Sequence, residues 1–501
     1  MARNEVDRRS FIKGAAVTGV GVLGALTPAA PQTPAAPQTP PQGKMIGIQV
    51  GAISFLDEGT EEVLDIFQKR ANINTLFLAV FTYGRGIAGR QVPDQPLPDH
   101  GKQEYDLNYH GGNFATPHPQ YYKNTALKPE DTRAPDYPGV DTVTAVLPAA
   151  KKRGMRTILW AEDVFRNDLP NIDKLQEYDV RGQRGSRLCF NNPNSTNFLL
   201  GLVEDYARSY DVDGIMWCSE RMGPLNNAIR GGTGERGASC FCQFCVAKGK
   251  RLGINVDRAR QGYLTLEKFL QDASSGKHPV DGCYVTFWRI LLRYPEILAW
   301  ETLWNDSLRE TYQALYSKVK SVNANLLCGW HIFHNNSFSP VFRAEQDLQE
   351  LSKYSDFLKM VMYHNCAGPR MASYIDGLQS GVFADLPKEE LLEFQYRVLN
   401  YKERGYEQIP YTGFSSDYVY RESKRAVDGA AGTKTLIWPG IDIDVPTAAN
   451  NSKCTPEGTK DAVAAAFRAG AHGVILSRKY SEMRLANLSG AGEAIKELKL
   501  A

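Results

Sequence analysis

The segment RTILWA at residues 156–161 is an apolar run that ends directly before two acidic residues, Glu162 and Asp163. A second run, DGIMWC at residues 213–218, ends in the same way before Ser219 and Glu220. Continuously apolar runs of this length predict strands that are buried on both faces, as in a parallel sheet. Polar groups that follow such strands predict a functional edge where the strands end.

The same pattern recurs along the chain, with a helical pattern after each run. Eight alternating units predict a single (β/α)8 barrel, also called a TIM barrel, with its helices outside. An open doubly wound sheet is the alternative, and the sequence has neither a GxGxxG fingerprint nor a P-loop to favour it. The predicted strands are residues 46–51, 74–81, 156–161, 213–218, 326–331, 357–363, 435–440 and 473–477, and predicted helices include 59–71, 139–153, 196–209, 284–322, 388–404 and 456–470.

Two connections are unusually long, residues 82–138 after the second strand and residues 219–283 after the fourth. In a barrel, long loops at the carboxyl ends of the strands build the active-site face. We therefore expect both loops to shape the functional site.

The first thirty residues have the features of a targeting segment. Arg8 and Arg9 precede a mildly apolar stretch at residues 14–27, a pattern that is similar to the twin-arginine consensus. We predict a signal peptide at 1–30, a disordered Pro/Ala/Gln/Thr-rich linker at 31–44 and the barrel at 45–501. The apolar stretch is too short for stable membrane insertion after cleavage. The expected destination is the periplasm or the extracellular space, and the export partner is the twin-arginine machinery.

The charge balance of the chain is close to neutral. The formal net charge is +2, and removing residues 1–30 takes away four basic and two acidic residues and leaves 54 of each. A neutral chain argues against nucleic acid or an anionic membrane as a partner. It suits a neutral substrate such as a sugar.

Aromatic and polar residues recur where the predicted strands end. Sugar rings pack on aromatic faces, and their hydroxyls need carboxylate, imidazole or guanidinium partners. This composition predicts a carbohydrate substrate, although core packing is the alternative for any single tryptophan. The predicted substrate-binding residues are Glu162, Trp217, Arg221, Trp330, His331, Tyr363, His364, Trp438, Asp444 and Glu482.

Hydrolysis of a glycoside needs two carboxyl groups that flank the scissile bond. Glu220 follows the fourth predicted strand and Asp442 the seventh, so both are predicted to be catalytic across the barrel axis. Burial among aromatic residues should raise the pKa of the acid. Asp444 and Glu482 compete for the role of Asp442, and an ion pair with Arg221 is the alternative role of Glu220.

Three cysteines stand close together at Cys240, Cys242 and Cys245. Three thiolates and a fourth predict a closed, structural tetrahedral zinc site. Cys189 is the favoured fourth ligand, with Cys218 and Cys283 as alternatives. A set of disulfides is the competing interpretation for an exported protein.

Cys189 before Asn-Asn-Pro, Glu220 after a strand and the C-x-C-x-x-C cluster together resemble glycoside hydrolase family 42 β-galactosidases over residues 187–246. The whole chain resembles clan A glycosidases in its architecture. The resemblance implies that Glu220 is the acid/base, Asp442 the nucleophile and the cysteines zinc ligands. Ser219 and Asp442 depart from the Asn and Glu of that pattern, so a separate glycosidase-like family fits better than β-galactosidase activity itself.

The sequence thus predicts an exported glycoside hydrolase that uses two carboxylates, with retention of configuration. A non-catalytic carbohydrate-binding barrel is the first alternative. A metal-dependent barrel hydrolase or lyase using His331, His334 and His364 is the second.

Overall fold

All eight predicted runs form the parallel strands of a closed barrel, so the (β/α)8 prediction is confirmed and the open sheet is excluded. The computed structural model describes residues 43–82, 97–229, 237–444 and 450–500. The predicted signal peptide at 1–30, and the linker at 31–44 except its last two residues, lie outside this range. The strands are β1 (Met45–Gly51), β2 (Thr75–Phe81), β3 (Arg156–Glu162), β4 (Gln176–Tyr178), β5 (Arg184–Leu188), β6 (Gly214–Cys218), β7 (Leu327–Ile332), β8 (Phe357–Val361), β9 (Leu436–Asp442) and β10 (Gly473–Ser477).

The barrel is built in the order β1-β2-β3-β6-β7-β8-β9-β10 and closes by parallel pairing of β10 with β1. The two remaining strands, β4 and β5, form an antiparallel hairpin in the connection after β3. This hairpin is not among the predicted strands. Glu177 of the hairpin and Glu220 after β6 line the same cavity, so the hairpin lies near the carboxyl end of β6, the fourth barrel strand.

Helices connect the strands on the outside of the barrel. The predicted helical stretch 284–322 is two helices, because Pro295 interrupts the pattern. The helices in the described part of the chain are α1 (Ala52–Glu58), α2 (Thr60–Ala71), α3 (Thr142–Lys152), α4 (Pro193–Ser209), α5 (Pro224–Ile229), α6 (Gln243–Arg251), α7 (Val256–Ser274), α8 (Cys283–Arg293), α9 (Glu296–Val322), α10 (Pro340–Glu345), α11 (Leu348–Ser352), α12 (His364–Gln379), α13 (Lys388–Leu399), α14 (Ile409–Thr412), α15 (Ser416–Gly429), α16 (Pro456–Arg468) and α17 (Leu485–Glu497). None of the described helices has the length and apolar character needed to cross a membrane.

Alternate residues of each strand point to two different cores. The larger core lies between strands and helices and includes Trp217 and Trp330. The smaller one fills the barrel interior, where Phe357 and Trp438 stack with ring centres 4.3 Å apart. Above this apolar plug the inward positions become polar, as at Lys359 of β8. The polar site therefore begins at the carboxyl ends of the strands.

Candidate active site at the carboxyl ends of the strands

Glu220 is the central carboxylate of the site. It follows β6, and its Oε1 lies 3.0 Å from Nε2 of His331 on the neighbouring strand β7. Its side chain keeps 39% of its surface exposed, whereas that of His331 keeps 3%. Glu220 is therefore a carboxylate that is reachable from solvent and held from beneath by a buried imidazole.

Lys359 holds His331 from the other side. Its Nζ lies 3.1 Å from His331 Nδ1 and also donates to Gln49 Oε1 at 2.8 Å and to the Tyr363 hydroxyl at 3.0 Å. An ammonium group has three donors, and these three partners use all of them. Gly440 makes room for this arrangement, because a Cβ there would come within 2.7 Å of Lys359 Cε.

The protonation states follow from burial and neighbouring charge. Burial lowers the pKa of His331 to about 4, helped by the charge of Lys359 and opposed by Glu220. Burial also lowers the pKa of Lys359, to about 7. Near neutral pH His331 is therefore an uncharged ring, which accepts from Lys359 through Nδ1 and donates to Glu220 through Nε2.

Glu220 itself is ionised. Burial alone would raise its pKa, but the hydrogen bond and charge of His331 oppose this effect. The positive charges of Arg370 and Arg478 add to the opposition, and the pKa falls to about 2. A raised pKa was predicted for Glu220 as the acid, and its surroundings lower the pKa instead.

A cavity of about 790 Å³ opens beside Glu220. Glu177, Arg187, Trp304 and Phe333 are among its lining residues. This volume lies within the usual range for small-molecule sites, about 300–1,000 Å³. The cavity is shaped largely by the connections after β3 and β6, so only the second of the two predicted loops contributes to it in the described part of the chain.

Asp442 has a different role from the one predicted. Its side chain is fully buried, and its oxygens accept from the backbone N–H groups of Asn365 at 3.4 Å and Cys366 at 3.2 Å. The Nδ1 atom of His364 lies 2.7 Å from Oδ1. Asp442 thus stabilises the N-terminus of α12, where backbone N–H groups lack helical partners. The structure does not support pairing it with Glu220.

The prediction that tryptophans line the site is wrong for Trp217, Trp330 and Trp438, each of which is 1% exposed. Trp217 and Trp330 point away from the barrel axis and pack against Tyr312 of α9 at 5.4 and 4.6 Å between ring centres. Trp438 points inward but lies in the apolar plug with Phe357. Strand alternation is the cause, because His331 can face the axis only if Trp330 faces outward.

Two more predicted residues serve the surrounding structure. Arg221 is buried beneath the cavity, where it pairs with Asp163 at 3.2 Å and with Glu177, so the alternative Glu220–Arg221 ion pair is replaced by other partners. Asp444 accepts from the backbone and side chain of Arg484 at the start of α17. Arg221 lines the cavity but is held by its two carboxylate partners, whereas Asp444 is not among the residues that line it.

Glu162, Tyr363 and Glu482 do lie around the axis. Glu162 lies 3.4 Å from Lys479 Nζ, and Tyr363 accepts from Lys359. Glu482 accepts from Arg478 Nε at 2.9 Å. These three predicted residues form a buried polar layer around Glu220.

The predicted cysteine ligands come together. Cys189 Sγ lies 3.4 Å from Cys242 Sγ and 3.5 Å from Cys245 Sγ, and Cys240 completes a group whose sulfurs all lie within 4.8 Å. A disulfide would need about 2.05 Å. A tetrahedral Zn²⁺ with Zn–S bonds of about 2.3 Å places its sulfurs about 3.8 Å apart. The four side chains are buried and fit such an ion, and neither Cys218 nor Cys283 belongs to the group.

The three histidines of the metal-dependent alternative do not form a ligand group within the described residues. His334 is instead bonded to Tyr418 through Nε2 at 3.0 Å and to Arg370 through Nδ1 at 2.9 Å. A different trio, Cys218, Glu220 and His331, does bring its ligand atoms within 4.8 Å. The positive charges of Lys359 and the nearby arginines disfavour a cation there.

Lys359, Arg370 and Arg478 are not among the predicted site residues. Lys359 had a visible signal, since it is the one charged residue in the apolar run FLKMVMY at 357–363. A lysine inside a buried strand needs partners, which marks it as a candidate for function. Arg478 directly follows the eighth predicted strand, 473–477, whereas Arg370 is a helical residue with no distinguishing pattern.

Comparison with known proteins does not assign the chain to a family. No family model matches it, and no curated protein matches it. Similar solved structures include the PgaB glycoside hydrolase domain of Bordetella bronchiseptica, with 13% identity, a TM-score of 0.47 and coverage of 91% of this chain and 98% of that one. A β-galactosidase of Halorubrum lacusprofundi has 12% identity and a TM-score of 0.49, with coverage of 91% of this chain and 58% of that one. A class V chitinase of Pseudomonas fluorescens has 10% identity and a TM-score of 0.42, over 90% of this chain and all of that one. At these values the likenesses identify neither a family nor an activity.

Proposed function

We propose that this protein is a glycoside hydrolase in which Glu220 acts as the ionised carboxylate. The observation that carries the proposal is the pairing of Glu220 with His331 at the carboxyl end of the fourth barrel strand, beside a cavity of about 790 Å³. Catalytic groups of barrel enzymes lie at this end of the strands. The cavity offers room for a sugar ring and its neighbours.

The low pKa of Glu220, about 2, determines its role in the proposal. A proton donor needs a pKa near the working pH, whereas a nucleophile must stay ionised. We therefore assign Glu220 the attack on the anomeric carbon, during which the glycosidic C–O bond breaks and the leaving oxygen takes a proton from the donor. Water then hydrolyses the covalent glycosyl–enzyme intermediate and returns the proton to the donor, so the proposed reaction retains configuration. This role differs from the acid/base role that the sequence resemblance implies.

The proton donor must be a different carboxyl group. Glu177 lines the same cavity as Glu220, and burial raises its pKa against the opposing charge of Arg221. A raised pKa is the shift that a general acid needs. We assign the donor role to Glu177 within this proposal.

The test is turnover of a panel of chromogenic glycosides by the mature protein, followed by the Glu220→Ala variant on a substrate that the wild type cleaves. The variant should be inactive, and azide should restore turnover by attacking in place of the lost carboxylate. The resulting glycosyl azide should have the inverted configuration, because one displacement replaces two. A retained glycosyl azide would instead make Glu220 the acid/base, and wild-type activity in Glu220→Ala would remove it from the mechanism.

A non-catalytic carbohydrate-binding barrel is the second candidate. Asp442 binds the N-terminus of α12, so the predicted pair of Glu220 and Asp442 across the barrel axis is not formed. Sugar binding that survives Glu220→Ala, with no turnover of any glycoside by the wild type, would favour it.

The cysteine group belongs to the proposal as a structural zinc site. All four ligand positions are filled by thiolates, so the ion would connect the loop after β3, through Cys189, to the start of α6, through Cys242 and Cys245. Thiolates are best metallated in a reducing compartment, and the twin-arginine pathway exports proteins that are already folded. Zinc loading before export to the periplasm or beyond is therefore part of the proposal.

A further inference from the structure

Four charged side chains around Glu220 keep part of their surface exposed: Glu220 itself, Arg187 of the cavity lining, Arg370 and Arg478. Lys359 and Glu162 are buried. The exposed groups are thus one carboxylate and three guanidinium groups.

Arg478 is held in an unusual backbone conformation. It directly follows β10 and has a φ of +47°, in the left-handed region that is unfavourable for a residue with a Cβ. Its Nε donates to the buried carboxylate of Glu482 at 2.9 Å, with a weaker contact from Nη2. Nη1 makes no hydrogen bond with any residue that the structure describes. The fork is thus anchored on one side and available on the other.

Arg370 lies on α12 and is anchored by a neutral group. Its Nη1 donates to His334 Nδ1 at 2.9 Å, and His334 Nε2 in turn pairs with the Tyr418 hydroxyl at 3.0 Å. Burial lowers the pKa of His334 well below its usual value, so the ring is uncharged. Within the described chain Arg370 forms no ion pair with a carboxylate. Its charge is oriented but not neutralised.

Both guanidinium groups lie close enough to Glu220 and Tyr363 to interact with them electrostatically. The charges of both lower the pKa of Glu220, and both also interact electrostatically with Tyr363. The Arg370 guanidinium carbon lies 5.9 Å from the Tyr363 ring centre. Arg478 follows β10 and Arg370 lies on α12, which follows β8, so both forks lie at the carboxyl ends of the strands. Arginine forks are suited to a carboxylate, which accepts two parallel N–H bonds from one fork.

We infer that Arg370 and Arg478 bind the carboxylate of an acidic sugar beside Glu220, so that the substrate class is a uronate-containing glycoside. This inference rests on the proposed function. A neutral sugar would leave Arg370 without an anionic partner and Nη1 of Arg478 without an acceptor among the described residues, although Arg478 is paired with Glu482 through Nε. A uronate would supply both and be held close to the attacking carboxylate. Sulfate esters share the anionic chemistry and are distinguished in the test.

Calorimetric titration of the mature protein at low ionic strength tests the inference with matched pairs of sugars, glucuronate against glucose and galacturonate against galactose. One acidic sugar should bind about tenfold more tightly than its neutral counterpart, as expected for a charge-assisted hydrogen bond. Added salt should reduce this preference. Arg370→Gln and Arg478→Gln should each remove this preference. Arg289→Gln, at an exposed arginine on α8, is the control that should leave it intact.

The inference would be overturned if both acidic sugars bound no more tightly than their neutral counterparts, or if neither acidic sugar bound at all. An acidic preference that survives both arginine variants would overturn it too, and tighter binding of galactose 6-sulfate than of galacturonate would replace the carboxylate by a sulfate ester. Glu220-dependent hydrolysis of neutral glycosides, without any acidic preference, would remove the inference and leave the proposed function. Arginine-dependent uronate binding without turnover of any glycoside would support the binding role of the arginines and remove the proposed hydrolase function.

Discussion

The imidazole Nε2 of His331 lies 3.0 Å from Oε1 of Glu220, on adjacent strands of the barrel. Because the ring is uncharged near neutral pH, its N–H stabilises the carboxylate through a hydrogen bond and not through a full ion pair. Lys359 fixes the tautomer by occupying Nδ1. The three side chains therefore form a chain of hydrogen bonds that keeps Glu220 ionised.

Replacing His331 by Leu should raise the pKa of Glu220, because burial then acts with less opposition. The wild type should lose no activity to protonation of Glu220 above about pH 4, since its pKa is about 2. In His331→Leu the acid limb of kcat/KM should move upward, to above the usual glutamate value of 4.5. His331→Gln, which retains a side-chain N–H, should move it less. An unchanged acid limb in His331→Leu would contradict the assignment.

Lys359 should set the basic limb of the wild-type pH profile. Its pKa is about 7, and loss of its proton frees His331 to change tautomer and withdraw the N–H from Glu220. Activity should therefore fall as pH rises through about 7. Lys359→Met, which has similar length without the charge, should be less active at pH 6 and show no such limb. A wild-type limb that persists in Lys359→Met would assign it to another group.

The same lysine predicts a pH dependence of stability. Between its folded pKa of about 7 and its ordinary value of 10.5, the unfolded chain holds a proton that the folded chain lacks. The free energy of unfolding therefore increases, and the folded state becomes more stable, as pH rises through this window. Urea unfolding at pH 7 and pH 9 should show this gain in the wild type relative to Lys359→Met. Parallel behaviour of the two proteins would contradict the lowered pKa.

The fold was predictable because each barrel strand is apolar on both faces, so the eight runs stand out as continuous segments such as residues 473–477. The position of Glu220 followed from the same pattern, because a residue directly after a barrel strand must lie at the mouth. Cys189 was predictable because loops that follow neighbouring barrel strands can meet in space. These three predictions depend on the order of the chain and on strand ends alone.

The prediction of the tryptophans failed because it used strand ends without strand alternation. Placing His331 inward requires Trp330 to point toward the helices, and the same reasoning applies to Cys218 and Trp217. The role of Arg370 was beyond the sequence, since it depends on how α12 packs over the barrel and on His334, which is 36 residues away. The near-neutral charge of the whole chain likewise hides a local excess of positive charge around Glu220.

The cysteine group predicts about one equivalent of zinc per chain when the metal content of the purified protein is measured. Cys189→Ser should abolish zinc binding and lower the melting temperature, because it removes one of four ligands from a buried site. Cys283→Ser is the matched control, since Cys283 is also buried but lies outside the group. Chelation should destabilise the wild type but not Cys189→Ser. Equal zinc content in Cys189→Ser and the wild type would refute the site.

Asp442 and Glu220 should respond in opposite ways to loss of charge. Asp442→Asn weakens the buried acceptor of the Asn365 and Cys366 N–H groups and should cost about 1.5–3 kcal/mol of stability, measured by urea unfolding. The folded variant should keep most of its kcat, because Asp442 holds α12 and does not reach the cavity. Glu220→Gln should keep its stability to within about 1 kcal/mol, since Glu220 is partly exposed. It should lose about 10⁴–10⁶-fold in kcat, as expected when a nucleophile is removed. A collapse of kcat in Asp442→Asn without loss of stability would return Asp442 to the reaction and make it the second carboxylate.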